Sequence, residues 1–463
     1  MTPPKKLGLL DATAIIVGSM IGSGIFLAPA LIAAIVIESH LGIGSFIGIW
    51  IVGGFLTLCG ALSYGELAAA FPRTGGQYVF LVEAFGPLWG FLYGWTLFMV
   101  IQSGFIAAVA VAFANYLGVF LPTVSQANAL IAWGGVRVSS VQLTAIALIL
   151  ILTAVNSRGL REGAFLQNFF TFAKVSALIG LVGFGLLSGR GDWSHFAPLA
   201  PRAVDTAVLA AFAVAMSKAL FAYDSWNIVT FVAEETDRPE RTLPRALALG
   251  TGAVMLLYTL ASVVYLDVIP IAEAAAVPDQ RIAARTAEVL FGPAGLGLIS
   301  FAILLSTAGC VNGLVLSGPR LYYAMARDGL FFRGAGELHP ERRIPARSLR
   351  QQAVWSIALV LFGSLGERGA QLYSDLLTFT SFASLLFAAL TVAGLFVLRR
   401  KQPDLPRPYR VAGYPFVPAL YLIVAAFFLI FIAVGDPRNS GFGLFVILLG
   451  LPLYWYWRRA PQR

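Results

Sequence analysis

Long apolar runs, nearly free of charge and joined by short polar connections, recur from one end of this chain to the other. Spans of about 20 apolar residues cross a bilayer as helices. Such spans fall at about 9–37, 42–70, 82–121, 139–157, 163–188, 204–234, 243–268, 292–327, 348–363, 370–399, 414–434 and 439–458. The expectation is an all-α integral membrane protein of about twelve transmembrane helices. Of its 463 residues, 58% are hydrophobic and 12% charged, with a mean hydropathy of +0.81. Soluble domains carry about 25% charged residues, so a soluble multidomain fold is excluded. The first run is long and lacks a small-residue cleavage site, which predicts an uncleaved signal-anchor. The third and eighth runs exceed what a bilayer requires, which predicts tilt or extension beyond it.

The net charge of +9 does not mark a nucleic-acid binder, because the charges are sorted by loop. Most Lys and Arg residues fall in alternate loops and termini that face one side. That is the positive-inside pattern of a multi-pass plasma-membrane protein with both termini in the cytoplasm. Arg399-Arg400-Lys401 and Arg342-Arg343 read as topology determinants beside membrane lipid. The opposite loops, about 122–138, 189–203 and 269–291, carry few charges. The two cysteines, Cys59 and Cys310, lie inside apolar spans, so no disulfide framework organises the fold. His40, His195 and His339 show no metal-ligand spacing. No His-Glu-x-x-His, Gly-x-Ser-x-Gly or Walker A lysine is present, so neither enzyme chemistry nor a cofactor is expected.

The first span is weakened from within. Gly18, Gly22 and Gly24 stand in Gly18-Ser19-Met20-Ile21-Gly22-Ser23-Gly24-Ile25-Phe26. Glycine weakens a helix interior, and backbone freed in hydrocarbon must be satisfied by protein, water or a solute. A second break, Phe221-Ala222-Tyr223-Asp224-Ser225-Trp226-Asn227, lies half a chain later. Two interrupted spans in matching places point to the binding site of a transporter built from inverted repeats. Each broken span opens a group of five, which divides the chain into a first repeat (9–188), an inverted second repeat (204–399) and two additional helices (414–458). The proline-rich linker Pro403-Asp404-Leu405-Pro406-Arg407-Pro408 separates the last pair.

The segment Gly18 to Phe26 resembles the first-helix motif of the amino acid–polyamine–organocation superfamily. Ser63-Tyr64-Gly65-Glu66-Leu67 and Phe71-Pro72-Arg73-Thr74-Gly75-Gly76-Gln77-Tyr78 are similar to its second helix and first inner loop. Phe231 to Pro244, with Glu234-Glu235 and Arg238-Pro239-Glu240-Arg241, resembles the loop after its sixth helix. Gly318-Pro319-Arg320-Leu321-Tyr322-Tyr323 through Gly329 is similar to the end of its eighth. Pro408-Tyr409-Arg410 and Gly413-Tyr414-Pro415 resemble its approach to helix eleven. Phe221 to Asn227 most resembles the L-type amino acid transporter branch. The resemblance implies a leucine-transporter-like fold with helices 1 and 6 unwound, and sodium-independent exchange of L-amino acids by alternating access. Animal members of that branch pair with a heavy chain through a disulfide whose cysteine would lie in loop 122–138. This chain has no cysteine there, so no such partner is expected.

An amino acid presents a carboxylate and an ammonium. Backbone N–H groups near Ser23 and Gly24 suit the first. Carbonyls near Ser19, Met20, Ile21, Gly22 and from Phe221 through Ala222 to Asp224 suit the second. The competing role for Gly18 and Gly22 is a small-residue packing face. Phe221 stands where an aromatic residue closes over substrate in relatives, or else packs. Lys174, at mid-span, is costly there and functional by default. Its ammonium either replaces the sodium ion of coupled relatives, giving exchange or uniport, or loses and regains a proton, giving proton-coupled symport. Asp224 either receives a cationic substrate side chain or pairs with Lys218 or Lys174. Lys218 departs from the small or amide residue expected at its position. Glu66 is read as a gate or as the partner of Arg73 or another basic residue; Glu234, Glu235 and Arg320 are read as gate ion pairs. Gln102, Trp226, Asn227 and Asp375 are candidate pathway residues. The competing classes are a membrane channel, which needs a pore-lining filter, and a non-transporting amino acid sensor.

Overall fold

The computed structural model describes residues 7–133, 136–197, 205–277, 281–362 and 369–459. The chain is mostly helical, as a backbone in hydrocarbon must be. The first span comprises α1 (Leu9–Met20) and α2 (Gly24–Glu38), followed by α3 (Gly44–Ala70), α4 (Gln77–Phe85), α5 (Pro87–Thr96) and α6 (Gln102–Leu117). After a short hairpin come α7 (Ser140–Asn156), α8 (Leu160–Leu187), α9 (Thr206–Tyr223) and α10 (Pro239–Val268). Two short helices, α11 (Ile271–Ala276) and α12 (Ile282–Phe291), precede α13 (Pro293–Arg327). The chain then forms α14 (Ala346–Phe362), α15 (Gly369–Lys401), α16 (Phe416–Gly435) and α17 (Pro437–Arg459).

Among the described residues, 10 helical stretches are long and apolar enough to cross a membrane. The runs expected at 139–157 and 348–363 correspond to α7 and α14, each of 17 residues. The single run expected at 82–121 is divided. Gly86 takes φ +97°, a conformation glycine reaches without strain, and Pro87 then opens α5 at a position where its missing N–H costs nothing. The segment 97–101 within this run is a π-helical turn joining α5 to α6.

Two loops carry structure that hydropathy did not signal. Ala129–Trp133 and Val136–Ser139 pair as an antiparallel hairpin. In α12, Ile282, Ala283, Thr286, Ala287 and Leu290 are buried, the three-and-four spacing of a helix lying against the bundle.

α1 packs against α8, α10 and α13, while α2 lies along α9. The first span is therefore surrounded by protein along its length. Leu7 adds a main-chain link: its N–H donates to Glu235 O at 3.0 Å and its carbonyl accepts from Asp237 N at 2.9 Å. The start of the first span is thus bound to the segment following α9.

Candidate functional site

Regular helical bonding in the first span stops at Met20 and resumes at Gly24. Ile21 sits at φ −75°, ψ 84°, and the Gly22 N–H turns back to Met20 O at 2.8 Å. The N–H groups of Gly24 and Ile25 head α2 before its first closing bond, from Phe26 N to Ser23 O at 3.1 Å. They carry the positive end of that helix dipole.

Protein stands close beside all three glycines. A Cβ on Gly18 would overlap Gln167 Nε2 and Thr171 Oγ1, and one on Gly22 would meet Cys310 Sγ at 2.7 Å. On Gly24 it would meet Ala222 Cβ at 2.6 Å and Cα at 2.7 Å. Small residues here let α8, α13 and α9 approach the first span's backbone.

In the second broken segment, α9 ends at Tyr223 and Asp224 is extended at φ −69°, ψ 175°. Ser225 takes φ +71°, uncommon for any residue but glycine. The chain continues as a 3-10 helix over Trp226–Glu235. One hydroxyl touches both breaks: Tyr258 Oη on α10 lies 2.8 Å from Met20 O and 3.2 Å from Ala222 O.

Lys174 is buried on α8, where its Nζ donates to Gly18 O at 2.7 Å, Ile21 O at 2.6 Å and Ser306 O at 2.8 Å. An ammonium has three N–H donors, and here each has an acceptor. Two of the acceptors belong to the first span and one to α13. Ser306 Oγ adds a bond to Ile21 O at 3.0 Å, and Cys310 Sγ one to Ser19 O at 3.0 Å. The carbonyls of Ser19, Met20 and Ile21, expected to face a solute, each already accept from a protein side chain.

Phe221 stacks on Phe105 with centroids 4.2 Å apart and planes at 4°. Trp226 meets Tyr64 edge-on at 4.6 Å. Asn227 Nδ2 donates to Gln77 Oε1 at 2.5 Å, and Gln77 Nε2 to Thr391 Oγ1 at 3.1 Å. Gln102 Nε2 donates to Leu314 O at 2.8 Å. These contacts join α9's continuation to α4 and α15, and α6 to α13.

One sequence expectation is corrected and another is met. Asp224 forms an ion pair with neither Lys218 nor Lys174. Its Oδ1 accepts from Ser225 N at 2.6 Å, and its buried Oδ2 has no hydrogen-bond partner among the described residues. Lys174 is committed to carbonyls, and Lys218 is buried elsewhere on α9. Of the two readings of Glu66 as an ion-pair partner, Arg73 is taken by Glu83, and the pairing with another basic residue is the one formed, with Arg399 and Arg407. The Glu66 carboxylate points into the bundle, accepting from Arg399 Nη2 at 2.6 Å and Nε at 2.9 Å and from Val411 N at 2.8 Å. Arg407 Nε lies 3.4 Å away. Charged partners from α15 and the linker fit because Glu66 is buried, whereas Arg73 is exposed.

Of the gate residues, Glu235 pairs with Arg320 at 2.9 Å, both buried. Glu234 Oε1 accepts from Thr74 N at 3.2 Å. The side chain of Asp375 lies outside the described residues. Tyr258, Ser306, Phe105 and Gln77 were not singled out from sequence. A tyrosine and a serine inside apolar spans were the available signals, and both residue types are common in this chain.

A family model described as amino acid permease matches residues 7–452. The chain belongs to the amino acid permease family. Among its relatives is the human large neutral amino acids transporter small subunit 2, 32% identical over 99% of this permease and 82% of that protein. The mouse Asc-type amino acid transporter 1 is 31% identical with the same coverage. The serine/threonine exchanger SteT of Bacillus subtilis is 30% identical over 97% of this permease and 96% of its own length. This permease therefore falls in the L-type branch of the superfamily, and its family and relatives are transporters rather than enzymes.

Proposed function

We propose that this permease is a sodium-independent L-amino acid exchanger working by alternating access. The carrying observation is Lys174, whose ammonium occupies the space between α1, α8 and α13 and donates to Gly18, Ile21 and Ser306 carbonyls. Those are the oxygens a sodium ion would need there, so a built-in cation removes the requirement for one. Cycling a proton through Lys174 would withdraw one of three donors and leave a buried carbonyl short, which costs about 1–3 kcal/mol. That argument favours exchange over proton-coupled symport through this residue.

The reading takes the two breaks as the unwound centres of helices 1 and 6, each opening a five-helix repeat: 9–188, 204–399 in inverted orientation, and an accessory pair at 414–458. On this reading α7 and α14 complete twelve crossings. The permease lies in the plasma membrane with cytoplasmic termini, as the Lys and Arg distribution favours. The substrate carboxylate takes the N–H groups of Ser23 and Gly24, and its ammonium takes remaining lone pairs of the carbonyls from Ser19 to Gly22 and from Phe221 and Ala222. Phe221, held parallel to Phe105, covers the seat. Glu66, Gln102, Lys218, Trp226 and Asn227 form the gate and pathway around it. Neutral side chains are the favoured class, since SteT is named for serine and threonine and the human relative for large neutral amino acids. Loop 122–138 offers no cysteine, so the permease works without a disulfide-linked partner.

The test is counterflow in proteoliposomes loaded with unlabelled serine. Trans-stimulated uptake of labelled neutral amino acids, equal in sodium and choline buffers, is expected. Flux that neither saturates nor responds to internal substrate would identify a channel. Binding without flux would identify a sensor.

A further inference from the structure

Behind the second break lies a cavity of about 30 Å³, lined by Thr57 of α3, Asp224 and Trp226 of the broken segment, Ser381 and Ser384 of α15, and Tyr421 of α16. Its polar surface is unbalanced. Thr57 Oγ1 gives its proton to Gly53 O at 2.8 Å, and Ser381 Oγ gives its own to Ser217 O at 2.9 Å. Both hydroxyls are left with only lone pairs to offer. Asp224 Oδ2 adds a further acceptor with no hydrogen-bond partner among the described residues, and the Ser384 hydroxyl stands beside the carboxyl group. A buried anionic oxygen among acceptors is costly unless a positive species joins it.

Among the described residues, none supplies one there. The titratable groups facing Asp224 are phenols: Tyr64 from α3, Tyr93 from α5 and Tyr421 from α16. On the same helix, Tyr223 donates to Trp50 O at 2.9 Å, and Lys218 makes no ion pair with Asp224. α2 carries no titratable side chain except Glu38 at its far end. The basic residues of α15 lie in its last turn, where Arg399 is held by Glu66.

We propose that Asp224 is a proton-binding site: Oδ2 takes up one proton, delivered by water entering the cavity, and is neutral in the arrangement described here. A space of this size admits a water molecule, which needs about 10–15 Å³. The neutral acid supplies a donor to a cavity in which the Thr57 and Ser381 hydroxyls can only accept. Lys174 need not titrate for this, so the site stands apart from the sodium substitute. Displacement of the break relative to α15 would open the cavity to water and release the proton, which makes Asp224 a protonation site coupled to the transport cycle.

The experiment is infrared spectroscopy of the purified full-length protein in lipid at about pH 6, where unburied carboxyl groups are ionised. The native protein is expected to show a carboxylic-acid C=O band that downshifts in D2O and is absent from Asp224→Asn. Ser384→Ala is expected to retain the band at a shifted frequency. Each variant is first checked for a native-like thermal transition and size-exclusion profile. A native spectrum lacking the band, or a band that persists in Asp224→Asn, overturns the proposal. So does a rise in native thermal stability on replacing choline with sodium that Asp224→Asn abolishes, since a metal cation would then be the occupant. None of these readouts depends on flux, so failure here is distinguishable from failure of the exchanger assignment.

Discussion

Lys174 Nζ lies 2.6 Å from the carbonyl of Ile21, the residue at which α1 stops. A helix that ends in hydrocarbon leaves carbonyls without N–H partners, and here a side chain from α8 supplies the donor. Lys174→Ala removes the side-chain donor of the Gly18 carbonyl, at about 1–3 kcal/mol for an orphaned group, and leaves the Ile21 carbonyl with Ser306 Oγ alone. Exchange in proteoliposomes is expected to fall at least tenfold, with a lowered thermal transition. Unchanged exchange would remove Lys174 from the mechanism.

Tyr258 joins the two breaks through one hydroxyl, so Tyr258→Phe deletes a bond while keeping the ring. A hydrogen bond of this kind is worth about 1 kcal/mol. Substrate affinity, read by the half-saturating concentration for exchange, is expected to weaken about fivefold, and the melting temperature to change little.

Gly24→Ala sets a Cβ within 2.6 Å of Ala222 Cβ, whereas a Cβ on Gly48 would meet nothing within 4 Å. Overpacking of this kind typically costs about 1–3 kcal/mol. Gly24→Ala is expected to destabilise the protein and depress exchange, and Gly48→Ala to be silent in both assays. Equal behaviour of the two would show that the approach of α2 to α9 is not tight.

Glu66→Gln leaves Arg399 and Arg407 without their shared carboxylate. Breaking a buried pair costs about 3–5 kcal/mol, so a marked drop in thermal stability is expected. Arg73→Ala breaks only the exposed pair with Glu83, worth about 1 kcal/mol or less, and is expected to melt near the native protein.

For Glu235 and Arg320, either single change leaves a buried charge alone. Arg320→Met and Glu235→Gln are each expected to destabilise more than the double variant, a coupling that a double-mutant cycle reads directly. Additive losses would mean that the two side chains act separately.

The apolar spans and the glycine motif carried most of the fold, because lipid forces length and hydropathy onto any crossing helix. Gly86 shows where that reading stops: hydropathy runs smoothly through 82–121, and only a positive φ at one residue divides it. The placement of Lys174 near the middle of α8 was legible because a lone cation in an apolar run is conspicuous. The partners of Asp224 and Glu66 were not. Both depend on which faces of distant helices meet, and a charge's sign and sequence position do not encode that. Tyr258 was hidden for a related reason: its hydroxyl matters only because α10 crosses both breaks.

The bonds from Leu7 to Glu235 and Asp237 give the amino-terminal segment a mechanical role. In the proposed alternating-access cycle, travel of the stretch after α9 carries the polypeptide leading into α1 with it, so the two broken spans share a main-chain tether. Bulky fusions or fluorophores placed directly before Leu7 would load that tether, and the opposite terminus is the better anchorage for reporters.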